Sequence, residues 1–369
     1  MGLMDDLAAT RVHVLVVGVP GFPLLRMRAL AAVRRRGWVA ATSPADADVL
    51  LVCGAADEGL RAAIDAAWAQ VPGPRARRTA TDAAALDGLL DSAVRVLGDR
   101  RLQAESRSSR PQPESSAVDR LRLGPVLPDW PAGVVIDGET GGGAVVDATV
   151  AVGAVLSRED DPLHADETAF VQACDRAARL LRLAGWPAEA LRLDRSVDRV
   201  LAGESAASHL PDVRRTAARV ARSVLLRSSL APVPGEVLQR LLVILGDAER
   251  GALGEPGVDE PVDPAALGEA LRGVRVDQAR LLVAAAGADP IVEAVPDEDS
   301  EAAEAPRIPW ARPEPEDDDG SDDLEARAAR TSISGMADTS PPPGEGRSAA
   351  EPRDHPQGTR DSLDMAADA

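Results

Sequence analysis

The sequence predicts an α/β protein. Its first domain is a small doubly wound, flavodoxin-like parallel sheet, and a β-hairpin, a helical segment and a disordered acidic tail follow it. Two observations indicate the first domain: short apolar runs end at glycines, and amphipathic stretches of helical period alternate with them. A third observation indicates the tail, because residues 291–369 hold 21 acidic residues and 7 arginines, or −14 of the formal charge of −19. Such a segment buries too little apolar surface to fold.

The chain opens with a strand, a loop and a helix. Val12–Val17 is a short run of mostly β-branched residues that ends at Gly18, as in a buried parallel strand. Gly18–Pro23 then forms a tight loop. The helix should begin at Pro23 and end at Gly37, because proline suits a first helical turn and glycine is common just after a last one.

The rest of the first domain repeats this alternation up to residue 98. Further strands are predicted at Trp38–Ala41, Asp48–Cys53 and Arg75–Ala80. One helix should open at Asp57 and another at Thr81 or Asp82, where acidic or hydroxyl side chains favour a helix start.

Candidate binding residues lie at the carboxyl ends of these strands, where doubly wound sheets bind their ligands. They are Gly18, Pro20, Gly21, Gly54 and Glu58. No GxGxxG pattern occurs there, and a P-loop is excluded because the chain has no lysine. Plain structural turns and a nucleotide or small-anion site are both interpretations of these loops.

Residues 99–127 are polar and predict a flexible linker, and residues 128–290 predict a hairpin with a helical bundle. The hairpin strands are Gly133–Asp137 and Ala144–Leu156, joined by Gly138–Gly143. Apolar residues at helical spacing predict helices at Asp166–Leu183, from Pro187 to Gly203, at Asp212–Leu230, at Glu236–Leu245 and at Ala265–Ala286 with a break at Gly273.

The composition excludes several classes of function. Cys53 and Cys174 are the only cysteines, too few for a disulfide framework or a four-thiolate site. The histidines have no ligand or nucleophile partner nearby, so no catalytic or metal-binding residue is predicted. The acidic balance disfavours nucleic acid. No apolar run is long enough for a membrane span, and the first residues do not read as a signal peptide, so we expect a cytoplasmic protein.

Three stretches resemble the 20 kDa subunit of NADH:quinone oxidoreductases, which is related to the small subunit of [NiFe] hydrogenases. They are VHVLVVG at 12–18, ADADVLLVCG at 45–54 and AAWAQVPGPRAR at 66–77. The resemblance implies a flavodoxin-like fold, electron transfer through a [4Fe–4S] cluster, and a partner in a hydrogenase-like or quinone-reductase-like complex.

The sequence departs from that family where the cluster would bind. The family holds its cluster with four cysteines, beginning with a pair after the first strand, whereas Val19–Pro23 and Arg75–Asp82 contain none. No cofactor is therefore predicted, although the resemblance implies one. The hairpin and the stretches ARLLRLAGW at 178–186 and RVARSVLLRSSL at 219–230 faintly resemble the partnering 49 kDa-type subunit, again without its metal-binding cysteines.

Four functions remain open, and one of them is a bridging protein that acts through the predicted tail of residues 291–369. The leading hypothesis is a non-catalytic, cluster-free relative of the 20 kDa subunit that serves as a scaffold or accessory subunit of a redox complex. The first alternative is an enzyme or sensor that binds a small anion or nucleotide at the strand-end loops. The second alternative is an electron-transfer subunit whose iron–sulfur site is completed by another chain. The sequence leaves the oligomeric state undefined.

Overall fold

Four parallel strands form the first sheet of the computed structural model, which describes residues 11–99, 101, 120–157, 163–233, 236–257 and 263–287. The strands are β1 (His13–Gly18), β2 (Val39–Ala40), β3 (Val49–Cys53) and β4 (Ala76–Ala80), in the order β2-β1-β3-β4. Three helices connect or follow them: α1 (Pro23–Arg35), α2 (Glu58–Gln70) and α3 (Leu86–Gly98). The predicted α/β fold is confirmed.

Of the two helix starts predicted in the first domain after α1, one is confirmed and one is wrong. Asp57 caps α2 as predicted, and its carboxylate accepts a hydrogen bond from the Leu60 N–H at 2.7 Å. The start predicted at Thr81 or Asp82 is wrong, because α3 begins only at Leu86. Asp82 accepts a hydrogen bond from the Ala85 N–H at 3.0 Å within the turn that precedes the helix.

The second sheet is antiparallel and has three strands rather than the two of the predicted hairpin. β5 (Arg120–Leu123), β6 (Val134–Gly141) and β7 (Ala144–Val152) pair in that order. β5 lies inside the stretch predicted as a linker, so the described end of that stretch is ordered sheet. The turn is shorter than predicted, since Gly138–Gly141 belong to β6 and only Gly142 and Gly143 remain between the strands.

Seven helices follow among the described residues. They are α4 (Ala165–Leu183), α5 (Pro187–Leu201), α6 (Leu210–Arg222), α7 (Val224–Leu230), α8 (Val237–Ala252), α9 (Pro264–Leu271) and α10 (Val276–Ala286). The single helix predicted at Asp212–Leu230 is wrong. It divides at Ser223, whose hydroxyl accepts a hydrogen bond from the Leu226 N–H and caps α7. The helix predicted to end at Leu245 continues to Ala252.

Helix α1 contributes to two hydrophobic cores. Leu25, Ala29 and Val33 pack in the core of the parallel sheet, whereas Leu24 and Met27 pack with the antiparallel sheet and the later helices. All of the described residues belong to one compact unit. The boundaries predicted at residues 98 and 128 stay a prediction.

No helix among the described residues is long and apolar enough to cross a membrane. The predicted acidic tail, residues 291–369, lies outside the described residues.

Candidate binding cavity

A cavity of about 240 Å³ lies where the loop after β1 faces helix α4. The loop and the start of α1 form one wall, α4 forms another, and residues next to the antiparallel sheet close the space. Its lining residues are Gly18, Val19, Pro20, Gly21, Phe22, Pro23, Arg26, Met27, Ala132, Val155, Gln172, Asp175 and Arg179.

The loop after β1 is shaped by the chain that covers it. Gly21 has a φ of +88°, and a Cβ built there would lie 2.2 Å from the Ser157 carbonyl oxygen. Pro20 packs on Gly133, whose Cβ would lie only 2.5 Å from Pro20 Cγ. Glycine is needed at positions 21 and 133 because backbone or ring atoms occupy the space of a side chain.

Helix α1 carries Arg26 into the cavity one turn after the loop. Phe22 N–H donates to the Val19 carbonyl at 3.1 Å, and Arg26 N–H donates to the Phe22 carbonyl at 3.2 Å, so the loop passes directly into the helix. The aliphatic part of Arg26 crosses Gly18, where a Cβ would lie 2.7 Å from Arg26 Cδ. Gly18 thus leaves room for the arginine.

Arg26 and Arg179 converge on one buried carboxylate, that of Asp175. The Arg26 guanidinium donates a hydrogen bond to Asp175 Oδ2, and Arg179 Nε lies 3.1 Å from the same oxygen. Burial acts to raise the pKa of Asp175, but the charges of Arg26 and Arg179 outweigh burial and hold the pKa well below its ordinary value. Asp175 is therefore a carboxylate at neutral pH.

The ion pairs continue away from the cavity as a seam between α1, α4 and α5. Arg182 binds Asp129 at 2.7 Å and Asp194 at 2.8 Å, and Arg34 lies 3.8 Å from Asp194. Arg34 Nε also donates to Asp198 at 2.8 Å. We call these eight residues the ion-pair seam: Arg26, Arg34, Arg179, Arg182, Asp129, Asp175, Asp194 and Asp198. Its four arginines and four aspartates balance overall, and two of the arginines share one aspartate at the cavity end.

Three of the five predicted site residues line the cavity, namely Gly18, Pro20 and Gly21. Gly54 and Glu58 are not among its described lining. A Cβ on Gly54 would lie 2.5 Å from Phe22 Cδ2, so this glycine supports the back of the loop. Glu58 is exposed in the first turn of α2.

Sequence reasoning missed the charged wall of the cavity. Gln172, Asp175 and Arg179 follow one another at helical spacing on α4, beside the apolar stripe that was recognised. An acid and an arginine four residues apart, bordering an apolar stripe, were the available signal. Their role became visible only with Arg26, which is 149 residues from Asp175 in the chain.

The cavity does not suit the iron–sulfur cluster that the family resemblance implies, because none of its described lining residues is a cysteine. Cys53 and Cys174 are both buried, and burial raises the pKa of the Cys174 thiol. Within the described ranges, no group of three or more His, Cys, Asp or Glu side chains is placed to hold a metal ion.

No family model, curated protein or solved structure matches the chain.

Proposed function

We propose that this chain is a binding protein for a small anion, which occupies the cavity between the loop after β1 and helix α4. The observation that carries the proposal is the convergence of Arg26 and Arg179 on a single aspartate in that cavity. Two guanidinium groups meet one carboxylate there, so this end of the balanced ion-pair seam is locally positive and offers an anion two buried cationic partners.

The position of the cavity supports the same function. It lies at the carboxyl end of β1, next to the switch in strand order between β1 and β3, where open α/β sheets bind ligands. Apolar side chains form most of its walls and a few polar groups converge on it, which is the usual composition of a small-molecule site.

Thermal unfolding with added anions tests the proposal. Acetate, benzoate, inorganic phosphate, AMP and FMN are added separately to the full chain at millimolar concentration. A ligand present at 100 times its dissociation constant should stabilise the folded chain by about 2.7 kcal/mol. Stabilisation by one or more of these anions is the expected result, and no stabilisation by any of them would contradict the proposal.

A second candidate function is that of a non-catalytic accessory subunit of a redox complex, as the resemblance to the 20 kDa subunit implies. The observation that favours it is the loop of Val19–Pro23. Where the family carries its cysteine pair, this loop has none, and Ser157 covers it at Gly21. The two functions are compatible, because an accessory subunit can also bind a ligand.

Affinity purification of the full chain from its own cells, kept anaerobic, tests this second candidate. We expect the chain to co-purify with subunits of an oxidoreductase and to carry no stoichiometric iron of its own. Purification without any oxidoreductase subunit would contradict it. Stoichiometric iron that is lost when the partner is removed would favour the other alternative, a cluster completed by another chain.

A further inference from the structure

We propose that the anion is a monocarboxylate with a small apolar body, and that Arg179 is the residue that binds its carboxylate. This inference rests on the proposed function, because it names the ligand class of the same cavity.

The first argument is the hydrogen-bonding state of Arg179. The residue is 7% exposed, and its Nε lies 3.1 Å from Asp175 Oδ2 without making a hydrogen bond. Nε is therefore a buried donor that has no hydrogen-bond acceptor among the described residues. Arg26 differs, since it donates to Asp175. A buried arginine donor without an acceptor is costly, and a ligand acceptor would relieve that cost.

The second argument is charge. Arg26 and Arg179 share one aspartate, so the cavity end of the ion-pair seam is positive by one unit. A monocarboxylate neutralises that unit, whereas a phosphate group at neutral pH brings a charge of about −1.5 to −2. The planar guanidinium fork also matches the two oxygens of a carboxylate.

The third argument is the remainder of the wall. Val19, Pro20, Phe22, Met27 and Val155 present apolar surface to the cavity. The volume of about 240 Å³ lies below the roughly 300–1,000 Å³ of sites for drug-sized ligands. A compact apolar body fits these walls, and a nucleotide would place its polar ribose against them.

Gln172 supplies a second polar contact. It lies two helical turns before Arg179 on α4 and lines the same cavity. Its side-chain amide makes no hydrogen bond with another described residue. An amide N–H at this place can donate to a carboxylate oxygen or to a polar substituent on the ligand.

Calorimetric titration of the full chain with benzoate tests the inference. Benzyl alcohol serves as a neutral compound of similar shape, and inorganic phosphate serves as an anion without an apolar body. We expect benzoate to bind at least tenfold more tightly than either. Arg179→Met keeps the aliphatic stem and removes the charge, so it should weaken benzoate binding at least tenfold. The matched control Arg214→Met, on an exposed arginine of α6, should leave binding unchanged.

A second variant, Ala132→Leu, fills the cavity with an apolar side chain and leaves all of the charged residues in place. It should abolish benzoate binding even where Arg179→Met proves too unstable to titrate. Benzoate binding that is unchanged in Ala132→Leu, or unchanged in a folded Arg179→Met, would overturn the inference. Tight binding of phosphate or AMP without benzoate would also overturn it, while leaving the proposed function standing. If no anion binds, both the inference and the proposed function are contradicted.

Discussion

Strands β1 and β3 reach the same edge of the parallel sheet and each ends at or just before a glycine, but only the glycine of β1 lines the cavity. Gly18 ends β1 and opens a loop that lines a cavity, whereas Gly54 follows β3 and lies behind that loop. The sequence predicts both glycines as candidate binding residues, because both follow buried strands. The two strand ends differ in what packs over them. Helix α4 and the segment after β7 face the loop that follows β1, whereas Glu58, which follows β3, is exposed. A strand end becomes a candidate site here only where a second layer of the chain closes over it.

The largest expected effect comes from removing the shared carboxylate under the first loop. Asp175→Asn leaves Arg26 and Arg179 buried without a counterion. Breaking a buried ion pair in this way costs about 3–5 kcal/mol, measured as the free energy of unfolding in urea. Asp212→Asn is the control, because its partner Arg215 is exposed on the surface of α6, and we expect a change below about 1 kcal/mol. Equal losses in the two variants would contradict the account.

The same carboxylate should contribute to the acid dependence of stability. The pKa of Asp175 is lowered in the folded chain, so the unfolded chain takes up the proton first. The stabilisation is therefore complete well above the ordinary pKa of 3.8 and is lost as the pH falls below it. Burial raises the pKa of Asp194, which acts in the opposite direction.

Urea unfolding of the wild-type chain and of Asp175→Asn, at matched pH values from 6 to 3, isolates this contribution. We expect the stability difference between the two chains to shrink as the pH falls. If the stability difference stays constant over that range, Asp175 does not contribute to the acid dependence of stability.

The two glycines of this edge allow a sharper test of the comparison. Gly21→Ala and Gly54→Ala both place a side chain at positive φ against neighbouring atoms, so each should lose about 1–3 kcal/mol of stability. Gly21→Ala should also weaken anion binding directly, since Gly21 lines the cavity, whereas Gly54→Ala can act on binding only by displacing Val19 and Phe22. Gly142→Ala is the control, because its positive φ of 61° has no atom nearby. Equal weakening of binding by all three would show that strain alone is responsible.

The smallest effect is expected at Glu58. Glu58→Gln changes an exposed charge in the first turn of α2, so the free energy of unfolding should change by less than about 0.5 kcal/mol and anion affinity should not change. Titration of the variant beside the wild-type chain checks this. A loss of affinity would return Glu58 to the site and remove the contrast between the two strand ends.

Local signals account for the parts of the fold that were predicted. Asp57 caps its helix and Pro23 starts one because these effects act within a few residues. β5 was missed because Arg120–Leu123 alternates arginine with leucine in a polar stretch and gains its order only from pairing with β6. The break at Ser223 was missed because apolar spacing continues across it. The cavity depends on contacts between residues far apart in the chain, such as Arg26 and Asp175, which no local pattern encodes.

A crystal of the full chain soaked with 4-bromobenzoate tests the central claim most directly. The anomalous signal of bromine locates the ligand without reference to any assumed pose. We expect one bromine site in the cavity, with the carboxylate on Arg179 and the ring against Val19 and Val155. A cavity without ligand density, in a crystal where the same compound occupies other surfaces, would contradict it.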